Sequence, residues 1–85
     1  MNNANQTVAT VKALLLKDKD LEARTWAAWN RVVDVLETRA LKVRPKLKSF
    51  EVHHMVEVTR LKFLEALLST GNAEDAESRT LEEIR

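Results

Sequence analysis

From Trp26 onward the apolar residues recur every three or four positions: Trp26, Trp29, Val33, Leu36, Ala40 and Val43. That spacing holds side chains on one face of an α-helix and predicts an amphipathic helix over roughly residues 19–43. Ala28 and Val32 widen the apolar stripe, while Asn30, Arg31, Asp34, Glu37 and Thr38 fall on the other side. A stripe this broad faces more than one neighbour. Pro45 disfavours the α conformation at Arg44 and lacks a backbone donor, so the helix is expected to end near Val43.

Shorter patterns flank this one. Val8, Val11 and Leu15, widened by Leu14 and Leu16, predict a helix over Thr7 to Lys17, with residues 1–6 as a flexible N-terminus. Asp18 and Asp20 compete as the next N-cap, and Asp20 with Arg24 forms an acidic-first i,i+4 pair. After a candidate cap at Ser49, Val52, Val56, Thr59, Phe63 and Leu67 make one stripe and Leu61, Leu64 and Leu68 a second, a helix over roughly 49–69 with two partners. Gly71 then stands where a left-handed residue closes a helix, and Asn72 with Asp75 marks the start of another. That last helix, Ala73 to Ile84, carries only Ala76, Leu81 and Ile84 on its apolar side and is expected to dock loosely. A rival period is visible at residues 48–58. Phe50, Val52, Val56 and Val58 alternate with polar residues as in a strand, which would give the strand–helix–helix order of a ribbon-helix-helix DNA binder. The helical reading covers the same residues and continues unbroken to Leu68, so it is preferred.

Composition narrows the fold class further. One glycine and one proline in 85 residues leave too few turns for a β-sandwich or an α/β fold. An all-α fold is expected: a single small helical bundle, with the two middle helices as a central antiparallel hairpin and a short helix at each end. Hydrophobic content of 45% is too high for a disordered chain. The absence of cysteine removes disulfides, thiol nucleophiles and cysteine-ligated metals. No apolar run approaches the ~18 residues that span a bilayer, and the first ten residues lack a basic, apolar leader pattern, so a cytoplasmic location is expected. A core of this size gives only about 3–5 kcal/mol, which makes a homodimer an expected stabiliser.

The formal charge of +1 hides a division. Residues 1–50 carry ten basic and five acidic side chains, residues 51–85 four and eight. Arg39, Lys42, Arg44, Lys46 and Lys48 form a stretch free of acids that could contact nucleic-acid phosphates, although no aromatic residue interleaves them to stack on bases. The helix after Gly71 is unsuited to groove reading, because Glu74, Asp75 and Glu77 would face phosphates. Glu51 and His54 have the spacing of a carboxylate-bridged metal pair, yet they fall on the polar side and lack companions, so no metal or other cofactor is expected. No catalytic set can be assembled, and the chain is not expected to be an enzyme. Trp26 and Trp29 are in phase with Val33 and Leu36, which makes them core candidates first and a binding hot spot second. The expected function is protein–protein interaction, with itself and with a larger protein partner, through surplus apolar surface at Trp26, Trp29, Leu61, Leu64 and Leu68. The alternative is a small DNA- or RNA-binding regulator using the basic stretch.

Overall fold

A computed structural model describes residues 3–43 and 49–84, and the described residues form four helices and no strand. They are α1 (Asn3–Lys17), α2 (Lys19–Val43), α3 (Ser49–Thr70) and α4 (Ala73–Ile84). The all-α bundle expected from the missing glycines is therefore present, and the strand alternative for residues 48–58 fails. Those of its residues that are described, from Ser49 on, belong to α3. α1 starts at Asn3, so part of the stretch expected as a flexible terminus is helical.

The chain turns where its capping residues stand. Asp18 separates α1 from α2, and its Oδ1 accepts the backbone N–H of Leu21 at 3.1 Å, which makes it the N-cap in preference to Asp20. Gly71 has φ of +70°, a conformation that costs an L side chain about 1–2 kcal/mol, and its N–H donates to the Leu67 carbonyl at 2.8 Å to close α3. Asn72 Oδ1 then accepts from the Asp75 N–H at 3.0 Å and opens α4. α3 and α4 thus form a tight helical hairpin, and Lys62 Nζ reaches Glu83 at 3.6 Å across it.

α1 and α4 each pack against both α2 and α3 but do not touch one another, so they occupy opposite grooves of the central pair. α4 reaches α2 through Arg24 to Glu74 and Arg31 to Glu77, an order that runs α4 with α2, while its pairing to α3 is antiparallel. α2 and α3 are therefore antiparallel, as expected of a central hairpin. The connected core takes Val11 and Leu15 from α1, Ala28, Trp29 and Val32 from α2, Phe63 and Leu67 from α3, and Ala73 and Ala76 from α4. Full burial of side chains such as Phe63, Leu67 and Val32 contributes about 1.5–3 kcal/mol each. The Trp29 and Phe63 rings meet with centroids 5.5 Å apart and planes tilted by 39°.

Two expectations about this core are corrected. α4 does not dock loosely: Ala73, Ala76 and Thr80 are all but fully buried, and their small side chains bring its backbone close to α2 and α3. Trp26 is not a core residue. The buried face of α2 is Thr25, Ala28, Trp29, Val32 and Leu36, and at 100° per residue Trp26 lies about 100° from its centre, leaving it 52% exposed. The small residues Thr25 and Ala28 belong to that face and are all but fully buried in it.

Candidate functional site

Rotation of Trp26 out of the core leaves it beside a strongly apolar concavity. Where α1, α2 and α3 converge, a cleft of about 110 Å³ opens between Val8, Val11 and Leu15 of α1, Trp26 and Trp29 of α2, and Phe63 and Leu64 of α3. Each helix contributes for a local reason. The three α1 residues are one i, i+3, i+7 stripe, Trp29 and Phe63 form the aromatic floor, and exposed Trp26 stands as a wall. The volume decides what could enter. Small-molecule and cofactor sites usually measure about 300–1,000 Å³, whereas an apolar cavity of about 150 Å³ holds one benzene. This cleft suits a single apolar side chain.

Its lining contains no acidic residue, and Lys12 and Arg60, both exposed, are the charged members. Arg60 lies 4.0 Å from Glu57 on its own helix, at the outer limit of an ion pair, and Lys12 pairs with no described residue. Thr25, also in the lining, is 1% exposed, and its Oγ1 has no hydrogen-bond partner among the described residues. Thr10, Thr70 and Thr80 instead donate to the carbonyl four residues back, at 2.8 Å in each case.

A wider groove of about 360 Å³ runs between α3 and α4, and its lining carries charge of both signs. Lys62 pairs with Glu83, and Arg79 Nη1 donates to Ser69 Oγ at 3.5 Å. No protein-family model, curated protein or solved structure matches the chain. The site alone carries the functional reading.

The residues singled out in the sequence are dispersed by the fold. Trp26 and Leu64 line the cleft from the side, and Trp29 is its floor, 9% exposed and tilted against Phe63. Leu61 is partly buried and Leu68 exposed, and neither lines the cleft. Of the basic stretch, Arg39 and Lys42 are exposed on α2, whereas Arg44, Lys46 and Lys48 lie outside the described residues. Two other cations of the basic half, Arg24 and Arg31, are engaged by the acidic α4. Arg31 makes a bidentate contact with Glu77, Nε to Oε2 at 2.9 Å and Nη2 to Oε1 at 2.7 Å, and Arg24 reaches Glu74 at 3.5 Å. The hydrogen bond to Glu77 raises the Arg31 pKa still further above the neutral range, against the opposing effect of desolvation. A raised basic pKa stabilises below the unfolded value and is lost only above it, so this pair is indifferent to pH across the neutral range. Glu51 is partly buried and His54 exposed, and His53 instead approaches Glu57 at 3.5 Å. Among the described residues no three histidine or acidic side chains converge on a metal-sized site.

Sequence reasoning missed Lys12 and Arg60. They are 48 residues apart, and only the packing of α1 beside α3 brings them to one cleft. The visible signal was the α1 stripe, whose three residues needed a partner face.

Proposed function

We propose that the chain is a protein-interaction module that receives one apolar side chain of a larger partner protein in the cleft between α1, α2 and α3. The observation that carries this reading is Trp26, a large aromatic side chain left 52% exposed against an apolar cleft. Tryptophan buries much area at little rotamer cost and is enriched among interface hot spots. The two-sided stripe of α3 fits the same role, since Leu64 closes the cleft that Phe63 floors. The cytoplasmic setting expected from the sequence goes with the proposal, and no catalytic role does. Among the described residues no helix is long and apolar enough to cross a membrane. Self-association through this cleft is not included, because a two-fold contact would set Lys12 and Arg60 against their own copies.

A photo-crosslinking amino acid placed at Trp26 in cells tests the reading, with a second at Arg79 as the reference position. A discrete adduct at the first position and not at the second supports it. Identical patterns at both positions would sink it.

A second reading keeps one observation of its own. Arg24 and Arg31 are held by Glu74 and Glu77, but Arg39 and Lys42 make no ion pair among the described residues. Nucleic-acid binding by this end of α2 predicts an affinity that falls steeply with salt and drops on Arg39→Ala and Lys42→Ala. Absence of binding to duplex and single-stranded oligonucleotides at low salt would remove it.

A further inference from the structure

The cleft also constrains what its partner is made of. We infer that the segment it receives is an acidic amphipathic helix, an apolar anchor flanked by carboxylates that meet Lys12 and Arg60. This rests on the interaction reading above and adds the chemistry of the partner to it.

Three observations carry the step. The lining is apolar except for Thr25 and two cations, and it has no acid of its own, so the charge it presents is positive. Lys12 is exposed with no ionic partner among the described residues, and Arg60 has only a marginal one. Both are therefore available to carboxylates at little cost in competing contacts. The described residues present no strand, so a partner cannot add to a sheet edge, and recognition falls to side chains. A groove between helices that admits one apolar group, with cations beside it, fits a helix whose anchor and acidic residues recur at i, i+3 and i+4.

The most acidic helix of this chain, α4, does not meet that description in a second copy, because it turns Ala73, Ala76 and Thr80 into its own core, with Leu81 and Ile84 packed against it. The outward face holds Glu74, Asp75, Ser78, Arg79, Glu82 and Glu83 and offers no apolar anchor. The occupant is a different protein.

The test uses the full chain and two labelled synthetic peptides of about 16 residues, long enough to sustain a helix. Both carry the same leucine stripe, one with glutamates and one with lysines at the remaining polar positions, and binding is followed by fluorescence anisotropy. The glutamate peptide is expected to bind about tenfold more tightly at low salt, with the advantage shrinking as salt rises. The double variant Lys12→Glu, Arg60→Glu, both at exposed positions, is expected to reverse the preference with an unchanged circular-dichroism spectrum. Equal binding of the two peptides, or a glutamate preference that survives the double variant, would overturn the inference. If that equal binding were still lost in Trp26→Ala, the cleft would remain an interaction site. Failure of both peptides to bind would overturn the inference together with the reading beneath it.

Discussion

Two tryptophans three residues apart on one helix show how far a side chain's role depends on its angle. Trp29 lies in the core on Phe63 and Trp26 stands half in solvent. Trp29→Ala is expected to destabilise by about 3–5 kcal/mol, the usual cost of emptying a buried aromatic site. Trp26→Ala should cost about 1 kcal/mol or less, since little of its surroundings collapses. Urea denaturation followed by far-UV circular dichroism separates the two, and equal losses would contradict the burial assigned to them. Thr25 makes the opposite case. Its hydroxyl is buried without a partner among the described residues, so the group contributes desolvation cost and no compensating bond. Thr25→Val keeps the shape, removes the hydroxyl and should raise stability by about 1 kcal/mol, read as a higher urea midpoint with an unchanged slope. A lower midpoint would mean that the hydroxyl has a partner in solution.

At the scale of the helix, α4 shows what small residues do. Ala76 is fully buried between α4 and its neighbours, and Ala73 and Thr80 flank it on the same face. Ala76→Leu adds three carbons where there is no room and is expected to cost about 1–3 kcal/mol. A neutral or stabilising effect would instead favour the loose docking that the few large apolar residues of α4 suggest. Thermal denaturation of this variant beside Ser78→Ala, an exposed position on the same helix, decides the matter. The contrast also marks what the sequence could disclose. The helix limits at the two tight turns were legible because their signals are local: Asp18, Gly71 and Asn72 each act within four residues of themselves. The phase of packing was not. Hydrophobic periodicity gives weight to Trp26 and Val33, whereas the buried α2 face includes Thr25 and Ala28, whose low hydropathy hides it. The cleft was half legible for the same reason. Trp26 and Leu64 stood out as surplus apolar residues, but the pairing of Lys12 with Arg60 exists only once α1 lies beside α3.

At the scale of the molecule, helix lengths divide the fold into a body and an arm. α1 and α4, with 15 and 12 residues, reach about 22 and 18 Å, while α2 and α3, with 25 and 22, reach about 37 and 33 Å. The short helices start at the α1–α2 and α3–α4 turns, so their cover ends near Val33 and Thr59, and residues 34–43 and 49–58 extend past it. Size agrees: the radius of gyration is 13.3 Å with a longest dimension of 41 Å, against about 12 Å for a compact chain of this length. Burial agrees as well. Among the side chains described in those two stretches only Leu36 is buried, and it lies outside the connected core, while Val35 and Val58 are exposed. The charge division of the sequence follows the same line. Arg24 and Arg31 meet the acidic α4 within the body, and Arg39 and Lys42 stay on the arm. Native-state hydrogen exchange should therefore show amides of 34–42 and 52–58 opening locally, well before those of 25–33, 60–69 and 74–80, which exchange only on global unfolding. Uniform protection would refute the division. The same measurement separates the two functional readings, because each uses a different part. An acidic helix bound in the cleft should slow exchange around residues 8–15, 25–29 and 60–64 and leave the arm unchanged. A nucleic acid held by Arg39 and Lys42 should protect the arm and leave the cleft as it was.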